Sequence, residues 1–127
     1  MSDPEPELSL APDCGNSPKN ARAQDVALAL MGAGAIDPDL LAENAVWERP
    51  GGAVSGRAAI LGALRRTRPP TRIEVDQVVT HGRSGSVSGR AARQEDERLF
   101  CHVIRYTTAA CREIAQLVSF EHQVKRR

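Results

Sequence analysis

The chain has 127 residues, enough to bury one hydrophobic core without disulfide or metal staples. Seventeen Lys and Arg against 16 Asp and Glu leave a formal net charge of +1, which gives no electrostatic ground for binding nucleic acid or an anionic membrane, and the basic ending KRR is too short for a nucleic-acid arm. Cys14, Cys101 and Cys111 are an odd count without paired metal-ligand spacing, so they read as reduced thiols of a cytoplasmic protein, with no zinc site.

The opening MSDPEPELSLAPD is acidic and broken by proline, with neither a basic start nor an apolar run. It is expected to be neither a secretory signal nor a membrane anchor. Residues 1–17 have little to bury and are expected as a disordered tail, with the folded domain at 18–127. Ser17 as N-cap and Pro18 at the first helical position start a helix, whose weak stripe of Ala21, Val26, Leu30 and Ala33 ends near Gly32 and Gly34. Asp37 and Pro38 repeat that grammar, and DPDLLAENA is expected as a short second helix. AVWER follows as a strand, then PGGAVSG as a loop. GRAAILGALRRT is a third helix, with Ala59, Ile60, Ala63 and Leu64 inward, ended by Pro69 and Pro70.

From there the period becomes two. TRIEVDQVVTHG alternates, with Ile73, Val75, Gln77, Val79 and His81 on one face, and RSGS supplies hairpin chemistry. VSGRAARQ is a strand mainly by virtue of its neighbours, and EDE makes the next turn. RLFCHVIRYTT and REIAQLVSFEHQV are the two strongest strands, apolar on both faces around Val103-Ile104 and Leu117-Val118. Helices followed by antiparallel strands give an α+β fold in which three N-terminal helices pack on a strongly curved, mostly antiparallel sheet. The other face of the longest strands needs a cover, and a homodimer through the sheet is expected to provide it.

Alternation puts Trp47 and Arg49 on one face of the first strand and Val46 and Glu48 on the other. Trp47 suits an apolar ligand site or a core position with its indole N–H satisfied. Arg49 could clamp an oxyanion or pair internally with Asp25. His102 shares a face with Phe100, Ile104 and Tyr106, where a neutral imidazole could move a proton or sit as a satisfied core residue. Gln116 shares the parity of Ile114, Val118 and Phe120, and could offer an amide to a cavity or a hydrogen bond within the sheet. Nothing gathers His81, His102 and His122 into a metal site, RPGGAVSG does not have phosphate-fingerprint spacing, and no cofactor is expected.

The order of elements, with LLAENAVWERPGGAVSGRAAILGAL and CHVIRYTT, resembles the nuclear-transport-factor-2-like superfamily, especially its SnoaL-like (polyketide-cyclase-like) and ketosteroid-isomerase-like bacterial members. The matching positions are Leu41, Ala42, Glu43, Asn44, Ala45, Pro50, Gly56, Ala59 and Ile60. The resemblance implies a cone-shaped, cystatin-like fold whose cavity opens between helices and concave sheet, usually in a homodimer. It makes the Trp47–Arg49 face the cavity face. Where ketosteroid isomerases place a catalytic Asp before that Pro, this chain has Arg49; where they place a second, hydrogen-bonding Asp, it has His102; and their pocket Tyr falls near Gln24 or Asp25. Arginine cannot serve as a base, so the isomerase mechanism does not transfer. Nor do both carboxylates of the Asp-Arg-Asp set of limonene-epoxide-hydrolase-like members find a match.

The expectation is a cytoplasmic pocket protein for a small hydrophobic molecule, an isomerase, cyclase or hydrolase acting on a carbonyl or epoxide compound. Its catalytic set would be His102, Arg49 and Asp25, and its ligand-binding set Trp47, Phe100, Ile104, Gln116, Val118 and Phe120. The alternative is a non-catalytic binder of hydrophobic ligands or a dimeric interaction module.

Overall fold

A computed structural model of the chain describes residues 5–14 and 17–124. Helix α1 spans Pro18–Leu30, and the Ser17 hydroxyl accepts the Asn20 N–H at 3.2 Å, as a Ser-Pro start requires. Its buried residues include Ala23, Gln24, Val26, Ala27 and Leu30. Helix α2 spans Arg57–Arg65 and buries Ile60 and Ala63; Ala59, expected inward, is exposed.

Seven strands form one sheet: β1 (Glu7–Ser9), β2 (Leu41–Arg49), β3 (Gly52–Ser55), β4 (Arg72–His81), β5 (Ser84–Arg93), β6 (Asp96–Tyr106) and β7 (Ile114–Gln123). Their spatial order is β1-β4-β5-β6-β7-β2-β3. The β1–β4 and β2–β7 pairs are parallel and the rest antiparallel, so the fold is α+β with a mostly antiparallel sheet, as expected. Among the described residues there are two α-helices, not three. DPDLLAENA makes only a 3-10 turn at Pro38–Leu40, with Asp37 Oδ1 accepting the Asp39 N–H, because Leu41 already pairs with Ile114 and is fully buried. Sheet pairing outweighs local helix preference there.

Two further segments differ from expectation. Pro50 and Gly51 turn the chain tightly enough for Arg49 to pair with Gly52, so the expected PGGAVSG loop is a hairpin ending in β3. Within the expected tail, β1 pairs with β4, and the N–H of buried Ala11 donates to Gln24 Oε1 at 2.9 Å. Pro12–Cys14 makes a 3-10 turn, and residues 1–4, 15 and 16 of that tail lie outside the described residues.

Curvature comes from bulges and from a glycine. The β4–β5 register shifts between Val75 and Gln77. Ile73, Val75 and Val78 are therefore the buried residues of β4, whereas Gln77, Val79 and His81, expected to share the face of Ile73, are exposed. Beside this bend, a Cβ on Gly89 would collide with the Glu74 carbonyl and come within 3.0 Å of the Phe100 ring. Only glycine lets the two strands approach so closely. Both helices lie on the face that buries Ile104 and Leu117: α1 packs against β4 and β5, and α2 against β2 and β3. Leu99 and Phe120 remain exposed, at 41% and 56% of their surface. Among the described residues no helix is long and apolar enough to cross a membrane.

Gly32, at φ +84°, ends α1 where a Cβ would lie 2.8 Å from the Thr67 carbonyl oxygen. This close approach brings the segment after α2 onto the end of α1, and both line the cavity described below. In urea denaturation, Gly89→Ala is expected to lose about 2 kcal/mol or more through overpacking. Gly62→Ala, whose Cβ would meet only the Arg66 side chain at 3.6 Å, is expected to gain up to about 1 kcal/mol of helix propensity. A Gly89→Ala protein as stable as the parent contradicts this origin of the bend.

Candidate functional site

A cavity of about 400 Å³ opens between the end of α1, the segment after α2 and the concave face of the sheet. Leu30 and Met31 reach it from the helix end, Thr67, Arg68 and Pro70 from the segment, and Trp47, Phe100, His102 and Ser119 from the strands. The strand side chains share one face because their registers agree: His102 pairs with Ser119, and both point inward from β6 and β7. Polar residues from several elements complete the wall, namely Arg49, Arg68, Arg93 and Arg98 with Asp96 and Glu121.

The floor is organised by one hydroxyl. Trp47 Nε1 lies 2.9 Å from Ser119 Oγ, and His102 Nδ1 lies 2.7 Å from the same oxygen. An indole N–H can only donate, so Ser119 accepts from Trp47. Among the described residues no other acceptor is recorded for the Ser119 proton, so the assignment that leaves fewest polar atoms unpaired gives that proton to a bare His102 Nδ1. On that assignment the neutral imidazole is the tautomer protonated at Nε2. Nε2 is buried and has no hydrogen-bond partner among the described residues. His102 is only 3% exposed, and burial lowers its pKa from 6.5 to about 4. At neutral pH the floor therefore presents an uncharged N–H donor, weakly basic at best.

Arg49 lies over the Trp47 ring, its guanidinium carbon 4.9 Å from the ring centroid. The contact follows from sharing a strand face two residues apart, and it leaves the guanidinium edge free. No carboxylate among the described residues pairs with Arg49. Arg98 holds both wall carboxylates: its Nε lies 3.1 Å from Asp96 Oδ2, and its Nη1 lies 3.3 Å from Glu121 Oε2.

Trp47, Arg49, Phe100 and His102 all stand in this one cavity wall. Ile104 shares their face of the sheet but is fully buried in the core, outside the wall. Asp25 is exposed on α1 and is not in the wall. The helix turns Gln24 inward instead, and Gln24 is taken up by Ala11. Gln116, Val118 and Phe120 are corrected to the outer face. Tyr106 pairs with Ile114 but Arg105 with Gln116, so Ala115 is an extra residue and every later side chain of β7 changes side. Gln116 accordingly donates to Glu48 at 3.3 Å on the outer face, and Glu48 faces away from Trp47 as alternation requires.

The same bulge hid Ser119 and Glu121 from the sequence reading. The available signal was chemical: a buried tryptophan needs an acceptor, and Ser119 is the lone hydroxyl within LVSF. Arg68, Arg93, Asp96 and Arg98 were missed because they come from strand ends and a connection, whose facing depends on turn positions.

The family model of the SnoaL-like domain matches residues 24–116. Among solved structures, the chain is similar to a candidate ketosteroid isomerase from Kribbella flavida, at 18% identity and TM-score 0.65 over 86% of this chain and 81% of that one. It is similar to a candidate isomerase of the SnoaL-like family from Agrobacterium tumefaciens, at 19% identity and TM-score 0.63 over 83% and 98% of the two chains. A protein with a cystatin-like fold from Silicibacter pomeroyi matches at 16% identity and TM-score 0.61 over 85% and 76%. These likenesses establish the cone-shaped, cystatin-like fold. No curated protein matches the chain significantly.

The neutral state of His102 has a thermodynamic signature. Unfolded, the imidazole takes up a proton near pH 6.5; folded, it refuses one until about pH 4. The unfolded state thus binds more protons in that window, so the contribution is complete above pH 6.5 and drains away as pH falls through it, by roughly 3 kcal/mol. Denaturation between pH 7 and 4 should show the parent losing that much more stability than His102→Phe. Equal losses contradict a buried neutral imidazole.

Proposed function

This chain belongs to the SnoaL-like domain family, and on that footing we propose that it binds a small, largely apolar molecule through a carbonyl or epoxide oxygen, with His102 and Arg49 acting on that oxygen. The observation that carries this reading is His102, a residue of the cavity lining whose buried Nε2 has no partner among the described residues. A buried N–H without an acceptor costs about 1–3 kcal/mol, and a ligand oxygen placed there removes the penalty. A cavity of about 400 Å³ falls within the range of small-molecule sites. Trp47, Phe100, Leu30 and Met31 offer the apolar body its contact area.

The chemistry supported is electrophilic. A neutral imidazole held at Nδ1 by Ser119 donates at Nε2 without giving up its proton, and so stabilises charge developing on oxygen. Arg49, permanently charged and free of any carboxylate among the described residues, adds positive potential at the same wall. Isomerisation, cyclisation and epoxide opening all build charge on an oxygen. Two solved neighbours described as candidate isomerases favour the first of these. A second reading, binding without turnover, is favoured by the engagement of both wall carboxylates with Arg98, which leaves no unpaired carboxylate in the wall among the described residues.

Trp47 is the single tryptophan, so its fluorescence reports occupancy of the cavity. Titration with apolar ketones and epoxides, and with the matching hydrocarbons, should show the oxygenated compounds binding at least about tenfold more tightly, the value of one buried hydrogen bond. His102→Phe should erase that preference, and chromatography of the mixtures distinguishes turnover from binding. An unchanged preference in His102→Phe removes His102 from the role.

A further inference from the structure

The guanidinium groups around the cavity are unequally engaged. Four arginines and two carboxylates line it, and Arg98 alone accounts for both carboxylates. Among the described residues, Arg49, Arg68 and Arg93 have no acidic partner. Arg93 donates to the Arg68 carbonyl oxygen at 2.7 Å, which joins the end of β5 to the segment after α2, and this bond neutralises no charge. Arg49 is placed by its stacking on Trp47. Three cations from three separate elements thus face one cavity in a chain whose overall charge is only +1. No carboxylate among the described residues pairs with these three, so this wall offers positive potential to an anion. His102, whose buried Nε2 has no partner among the described residues, lines the same cavity.

We propose that Arg68 and Arg93 form a carboxylate-recognition site at the polar wall of the cavity, so that the ligand is an apolar acid with its carboxylate on these two arginines and its neutral oxygen at His102 and Arg49. The proposal rests on the reading of the cavity as a ligand site and specifies the class of compound. Guanidinium forks match the planar geometry of a carboxylate, and the apolar floor accepts the body between the two polar ends. An oxo-acid or epoxy-acid satisfies both ends, whereas a neutral ketone satisfies one.

The test uses Trp47 fluorescence at pH 7 and low ionic strength, with a medium-chain aliphatic oxo-acid and its methyl ester as probes. The acid is expected to bind at least about tenfold more tightly than the ester, and the advantage should shrink as salt is added. In the double variant Arg68→Gln with Arg93→Gln, acid and ester should bind within about twofold of each other, with ester affinity unchanged. Arg68→Lys with Arg93→Lys should recover part of the acid's advantage by keeping the charge. Equal binding of acid and ester to the parent protein overturns the carboxylate site while leaving the cavity as a ligand site. Binding of neither probe overturns both. An advantage that persists undiminished in the glutamine variant removes Arg68 and Arg93 from the recognition.

Discussion

One hydroxyl on the central strand of three sets the character of the concave face. β7 lies between β6 and β2, and Ser119 on β7 accepts from the indole of one neighbour and donates to the imidazole of the other. A tryptophan placed there without an acceptor would bury an unpaired donor, and a histidine without the Ser119 proton would be free to choose its tautomer. With both bonds made, the indole is fixed as floor and the imidazole is left with its N–H at the unpartnered end. Other features depend on these two bonds. Arg49 stacks on a ring that Ser119 holds in place, and the low basicity of His102 follows from its burial, with the Phe100 ring beside it.

The resulting site inverts the chemistry that its fold relatives suggested. The resemblance to ketosteroid-isomerase-like proteins assigned two acidic positions to the cavity; this chain puts Arg49 and His102 there. An arginine supplies charge but no lone pair, and this histidine keeps its proton at Nε2 and resists taking a second. In the function proposed above, the cavity meets electron density and does not abstract a proton. One cone can host such different walls because curvature and core come from residues outside the wall: Gly89 and the bulge at Asp76 shape the sheet, while Leu41, Ile60, Ile104 and Leu117 fill the interior.

Much of this was legible in the sequence, for reasons particular to each stretch. The Trp47–Arg49 face and the face of Phe100 and His102 follow from simple alternation, because the cavity-forming parts of β2 and β6 are regular through those residues. The Ser-Pro start of α1 and the Pro-Pro stop after α2 are local chemistry and needed no tertiary information. β7 failed because a bulge leaves no mark in alternation: Ala115 is unremarkable, yet it reverses the facing of Gln116, Val118, Ser119 and Phe120. Gln77 and Val79 failed in the same way after Asp76. The short strands β1 and β3 and the conversion of DPDLLAENA to a single turn were set by sheet partners distant in sequence, which no local window contains.

The tautomer of His102 is the most direct measure of the whole arrangement. A long-range proton–nitrogen correlation spectrum of histidine-labelled protein at pH 7, without ligand, reads both ring nitrogens. The relay through Ser119 requires Nδ1 to show the shift of a bare, lone-pair nitrogen and Nε2 that of a protonated one, unchanged down to about pH 5. A proton on Nδ1, or a ring that titrates near pH 6.5 like a histidine in water, contradicts it.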